Sequence, residues 1–174
     1  MTGRSLLAGV LAAAVAIVSG CGYTLVGKAS TLPESIKVVQ FVTLENRTPK
    51  VSLEQRLSAE IARELASRGR FKVQSTAEGA NAVLSGAVSG FDLYPVSFDS
   101  QGRATDYQVR VTAQVILKTI PEGTVLWQNP SYTFRDNYQF SASAASYVDR
   151  ENEAIDKVAG RFAQSLVTSL LEGF

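Results

Sequence analysis

Across residues 106–118 apolar and polar side chains alternate almost without interruption, and no other stretch limits the fold as tightly. Tyr107, Val109, Val111, Ala113, Val115 and Leu117 fall on one side of an extended chain. Gln108, Arg110, Thr112, Gln114 and Lys118 fall on the other, with Ile116 as the exception. Successive strand side chains point to opposite faces, so this is a strand with a core on one face and water or a polar partner on the other. Residues 82–94 read as a second long strand, with Ser85, Gly86, Ser89 and Gly90 set in it. Between the two, Asp99-Ser-Gln-Gly102 is a turn signal, so they are expected to form a hairpin. At about 13 residues and ~3.3 Å per residue, each arm reaches roughly 43 Å, longer than common strands and long enough to project past a core.

The flanking segments supply the rest of the sheet and its cover. Residues 36–44 are β-branched and apolar on both alternating faces, the pattern of a strand covered on both sides. After a break at Glu45-Asn46-Arg47-Thr48-Pro49, Ser52-Leu53-Glu54-Gln55 has the form of a capping box that starts a helix. Leu53, Leu57, Ile61 and Leu65 recur on one side of it, and Gly69 is a fitting stop. Arg68, Arg70 and Lys72 read as solvated charges favoured by the helix dipole rather than as a ligand patch. Residues 71–74 form a short strand. Pro121-Glu122-Gly123 turns the chain into Val125-Leu126-Trp127. Asn129-Pro130 then interrupts, and Tyr132 and Phe134 resume with inverted parity, which a bulge on an edge strand explains. Residues 135–147 are expected to be a loop whose Tyr138, Phe140 and Tyr147 dock on the core. Ile155, Val158, Ala159, Phe162, Leu166, Val167 and Leu170 mark a last core-facing helix. The expected fold class is α+β: a mixed, mainly antiparallel sheet of about four strands with two helices packed on one face, in the order β-α-β-β-β(-β)-α.

Composition removes whole classes of chemistry. The 174 residues contain no histidine and a single cysteine. The usual general base, the commonest metal ligand, Ser-His-Asp triads, Cys/His zinc sites and internal disulfides are therefore excluded. Asp99, Asp106, Asp149, Glu151 and Glu153 fall in turns and caps, where acids are ordinary. Catalysis, metals and cofactors are not expected. Arg4 is the one charge ahead of Cys21, so the 17 basic and 16 acidic residues of the chain balance from Cys21 onward. No net field steers such a domain toward nucleic acid.

The apolar run from Leu6 to Cys21 fixes the expected location. As a helix, its roughly 13 apolar residues reach about 20 Å, short of a bilayer core of about 30 Å. A charged start, a short apolar middle and a small-residue exit make a secretory signal. Val18-Ser19-Gly20-Cys21 resembles the bacterial lipoprotein signal, in which the thiol takes a diacylglyceryl group and the freed amine is acylated. That resemblance implies removal of residues 1–20, a covalent lipid on Cys21, a lipidated tether over residues 21–33 and a single domain over residues 34–174. Three acyl chains exceed the two-signal threshold for stable anchoring. Gly22 stands where Asp resembles an inner-membrane retention signal, which implies the outer membrane, on its periplasmic side.

Several segments together resemble the LptE family of lipopolysaccharide-assembly lipoproteins. They are Cys21-Gly-Tyr-Thr-Leu-Val-Gly27, Leu32-Pro33 with Ile36 and Val38, Phe41 with Asn46-Arg-Thr48, Ser97-Phe-Asp99 with Gly102-Arg103 and Tyr107, and Gly123-Thr-Val-Leu-Trp127. The resemblance implies a protein that plugs an LptD-type outer-membrane β-barrel, helps it assemble and binds lipopolysaccharide on its way to the outer leaflet. The polar face of Gln108, Thr112, Gln114 and Lys118 suits a polar lumen. Basic residues are attributed with lipid A phosphate binding in the family, which makes Arg103 and Arg110 the candidates for that contact. The bland alternative is that Arg103 solvates a turn and Arg110 a sheet face. Asn81, where the family often carries Asp, reads as a turn residue. Val38-x-x-Phe41 with Asn46-x-Thr48 is also similar to periplasmic modules that activate peptidoglycan synthases or build secretion pores.

Overall fold

The structure, a computed structural model, describes residues 32–139 and 147–173. Cys21, the leader, most of the tether and Phe140 lie outside the described residues, as does the side chain of Tyr147. In chain order the elements are β1 (Val38–Phe41), β2 (Glu45–Asn46), α1 (Leu53–Ser67), β3 (Lys72–Gln74), β4 (Ala82–Phe98), β5 (Ala104–Thr119), β6 (Val125–Gln139) and α2 (Tyr147–Glu172). They make an α+β fold with one sheet in the order β3-β1-β4-β5-β6, and β2 also pairs with β4. The pairs β1/β3, β1/β4 and β2/β4 are parallel, whereas β4/β5 and β5/β6 are antiparallel.

The sheet has six strands where about four were expected, in part because residues 36–44 yield only the short β1, and Glu45–Asn46, read from sequence as a break, form a second short strand. Leu44 causes the split. Its side chain is 2% exposed, and its N–H donates to the hydroxyl of Ser58 on α1 (3.0 Å) instead of to a neighbouring strand. The chain rejoins the sheet at Glu45, opposite Ala87.

α1 buries Leu53, Leu57, Ile61 and Leu65, the stripe that the sequence sets out. Its start is not a capping box: Ser52 has φ 61° and its side chain makes no cap hydrogen bond. Asn46 organises this corner in its place. Its amide nitrogen donates to Glu54 Oε2 (2.8 Å) and to the Lys50 carbonyl (2.6 Å), and its oxygen accepts from both N–H and hydroxyl of Thr48. The helix stops as expected, with Gly69 at φ 66° donating its N–H to the Ala66 carbonyl. Arg68 is tied to Glu64 and to Thr168 of α2, and Arg70 to the Leu32 carbonyl, so two of the three basic residues hold elements together.

β4 and β5 run to 17 and 16 residues, longer than the sequence suggested. Two residues of β6, Pro130 and Ser131, stand opposite one of β5, Gln114, between the pairs Ala113/Tyr132 and Val115/Asn129, which places a bulge at Pro130 on the edge strand, as the inverted parity implied. Residues 135–139 are strand and not loop: their pairing continues to Gln139 opposite Asp106. They hid as a loop because Asp136, on the core side, is polar. There it accepts from Arg161 of α2 (2.7 Å) and from the Tyr138 hydroxyl (3.1 Å).

Both helices pack against one face. Phe162 of α2 is fully buried and meets the rings of Tyr132 (5.7 Å) and Phe134 (6.1 Å) edge-on. Val39, Leu84, Val88, Val109, Val111 and Leu117 close the core from the sheet, each side chain contributing about 1.5–3 kcal/mol by leaving water. Arg56 of α1 and Asp156 of α2 bridge the helices at the surface (2.7 Å).

Candidate functional site: the uncovered sheet face

Helices cover only one side, so the opposite face of β4, β5 and β6 is bare of other elements among the described residues. Alternation along β5 puts Gln108, Arg110, Thr112, Gln114 and Lys118 there together, as expected. The bulge at Pro130 brings Thr133, Arg135 and Asn137 of β6 onto the same face, opposite Thr112, Arg110 and Gln108. Those β6 residues escaped sequence reasoning, although the parity change after Pro130 carried the signal.

The face is a lattice of paired side chains. At the distal end the Tyr94 hydroxyl donates to Gln108 Oε1, and Gln108 Nε2 donates to Asn137 Oδ1 (2.9 Å), a row across three strands. One row nearer the base, Arg110 donates to Asp92 through Nε (3.0 Å) and also forms an ion pair through Nη2 (2.9 Å), with Arg135 directly across from it. Further along, Gln114 Oε1 accepts from Arg47 Nη1 (3.2 Å). Arg47 also grips Glu45 (2.7 Å); its donated hydrogen bond, then its charge, lowers the Glu45 carboxyl below its ordinary value. A cleft of about 440 Å³ opens here between Arg47, Ser85, Gln114, Ile116, Gln128 and Pro130. Lys118 sits at the base of the face, opposite Val83 and Val125.

Arg103 stands apart from this lattice. Asp99 accepts from the N–H groups of Gln101 and Arg103 (2.9 Å each) and from Arg103 Nε (2.8 Å), which holds its carboxyl below the usual range, the Arg103 N–H contributing most. Gly102 completes this turn at φ 73°. Seven strand positions, roughly 23 Å, separate Arg103 from Arg110, so the structure does not bring the two predicted arginines together. Tyr94, Val96 and Phe98 are exposed on the distal arm, Phe98 by 60%.

Asp92, Asp99, Asp136 and Glu45 are each committed to a guanidinium, and no acidic cluster among the described residues could hold a metal ion. No helix among them is long and apolar enough to cross a membrane. Two helices closing one face of a mixed sheet, with a hydrogen-bonded polar face that no other described element covers, define the class: an α+β domain with helices on one side of its sheet. The chain belongs to the LptE family: the family model described as lipopolysaccharide-assembly matches residues 36–170. That family consists of non-enzymatic, envelope-associated assembly lipoproteins.

No curated protein sequence matches the chain. Similar solved structures include a putative lipoprotein from Caulobacter crescentus, 15% identical, with TM-score 0.53 over 76% of this chain and 87% of that one. The PelC dodecamer from Paraburkholderia phytofirmans is 20% identical, with TM-score 0.51 over 80% and 91%. Hypothetical protein CT253 from Chlamydia trachomatis is 11% identical, with TM-score 0.51 over 79% and 99%. At these identities the likeness is one of fold.

Proposed function

We propose that this protein is an outer-membrane lipoprotein, anchored through lipid on Cys21, that plugs an LptD-type β-barrel, assists its assembly and takes part in moving lipopolysaccharide to the outer leaflet. One observation carries the reading: a polar sheet face, already hydrogen-bonded within itself and covered by no other described element, on a member of a lipopolysaccharide-assembly family. Barrel lumens are polar, and a face of amides, hydroxyls and arginines enters one without stranding apolar surface. Gln108, Thr112, Gln114 and Lys118 are the residues assigned to the barrel wall. Arg110 is the candidate for lipopolysaccharide phosphate, with Arg103 the more distant one at the hairpin tip.

Affinity purification from detergent-solubilised outer membranes tests this. The expected result is one large β-barrel recovered with the protein, and loss of surface lipopolysaccharide when the protein is depleted. Recovery of a peptidoglycan synthase, or of a ring of this chain alone, overturns the reading in favour of an activator or pore-assembly module. Mass spectrometry of the purified protein should show a chain that starts at Cys21 and carries lipid.

A further inference from the structure

Among the described residues β6 is the long unpaired edge of the sheet, because β3 at the other end has only three residues. Natural edges are blunted by bulges, prolines or charges, since bare N–H and C=O groups invite another strand. Here the bulge at Pro130 guards one end, Arg135 and Asp136 are the charges along the rest, and from Tyr132 to Gln139 the register with β5 is unbroken.

Strand N–H groups in an antiparallel pair point alternately to the neighbour and away from it. Ser131 N–H donates to Asn129 Oδ1 (3.0 Å) and Asn137 N–H to Asp136 Oδ1 (2.9 Å), so the odd-numbered amides between them point away from β5. Both ends of this window are thus capped by side chains of β6 itself, and the amides of Thr133 and Arg135 in the middle are not. A groove of about 450 Å³ lined by Phe134, Arg135, Asp136, Arg161, Gln164, Ser165 and Thr168 runs beside the same window, between β6 and α2. On the open side Arg135 lies across from Arg110, whose carboxylate partner Asp92 is on the far strand, and among the described residues Arg135 meets no carboxylate. The edge therefore offers two main-chain donors, room for side chains on one face and an excess positive charge on the other.

We propose that the edge of β6 from Tyr132 to Asn137 takes an added strand from the barrel partner, an extended segment bonded main chain to main chain through the Thr133 and Arg135 amides and bringing a carboxylate to Arg135. A second copy of this chain fits poorly: two β6 edges paired antiparallel over this window set the two Arg135 side chains directly or diagonally opposite, where like charges repel. The inference rests on the partner being a barrel.

The test uses the full-length protein purified with its barrel from membranes. Thr133→Pro removes an outward N–H without removing a bond to β5, and Arg135→Glu keeps the N–H while reversing the charge. Barrel recovery should fall about tenfold for Thr133→Pro and several-fold for Arg135→Glu, with melting temperatures of both variants near that of the parent. A photo-crosslinking residue at position 133 should capture the barrel, and one at Gln74 on β3 should not. If Thr133→Pro does not fold, Arg135→Glu and the crosslinks decide. Undiminished recovery with both variants, or no crosslink from position 133, overturns the added strand and leaves the barrel reading intact. A parent protein that recovers no barrel overturns both. Self-association of the purified parent that Thr133→Pro abolishes gives the edge to a second copy and also overturns the proposal.

Discussion

Single residues hold this domain together at points that local sequence does not announce. Asn81 reads as an ordinary turn residue, yet its side-chain oxygen accepts from the N–H groups of Lys37 (3.1 Å) and Val38 (3.0 Å), fixing the start of β1 to the start of β4. Its partners are more than forty positions away, so nothing beside it in the chain reveals the role. Asn81→Ala should cost about 1–2 kcal/mol, measured as a lower urea midpoint with an unchanged slope. Gly86 is a second such point. A Cβ there lies 2.2 Å from the Gln114 carbonyl oxygen, a backbone atom that moves only with β5. Gly86→Ala should destabilise by about 1–3 kcal/mol in the same assay. Ser52 shows the opposite failure, because a capping pattern is present but the left-handed backbone at Ser52 and the hydrogen bonds of Asn46 supersede it.

At the scale of elements, the sequence was most legible where one face of a segment is wet. β5 and both helices follow from periodicity alone, because burial on one side and water on the other write a repeat into the residue types. The distal part of β6 was illegible because it carries polar residues on both faces: Asp136 toward α2, and Arg135 and Asn137 toward the open side. Its attachment to α2 makes two tests. Phe162→Ala removes the ring that fills the space between Tyr132 and Phe134, and should cost about 3–5 kcal/mol in denaturant unfolding. Burial, and next the charge of Asp136, pushes the Tyr138 hydroxyl from its ordinary value of 10.0 up to about 12. Between those values the unfolded chain loses this proton and the folded chain keeps it, so stability declines as pH rises through the window. Denaturant midpoints followed through the same range should show that decline in the parent, and Tyr138→Phe should remove this contribution.

For the whole molecule, the layered plan separates what folds the chain from what the chain meets. The core side uses most of the large apolar residues, and the open side pairs many of its polar groups, Tyr94 with Gln108, Gln108 with Asn137, Asp92 with Arg110 and Arg47 with Gln114. Arg110→Glu should therefore leave the melting temperature nearly unchanged while weakening the binding of lipopolysaccharide measured on the purified protein; equal binding would remove Arg110 from that role. The candidate face was legible in part: Gln108, Arg110, Thr112, Gln114 and Lys118 were grouped correctly from β5, while Arg47 and the β6 residues needed the register and the bulge. The rows linking Tyr94 to Gln108 to Asn137, and Arg47 to Gln114, have a wider effect. Polar groups that already satisfy one another lose little when water is stripped from them, so a neighbouring wall need not supply a matching donor for every acceptor. Such a surface behaves like a bearing: it tolerates sequence drift and small sliding in whatever lies against it.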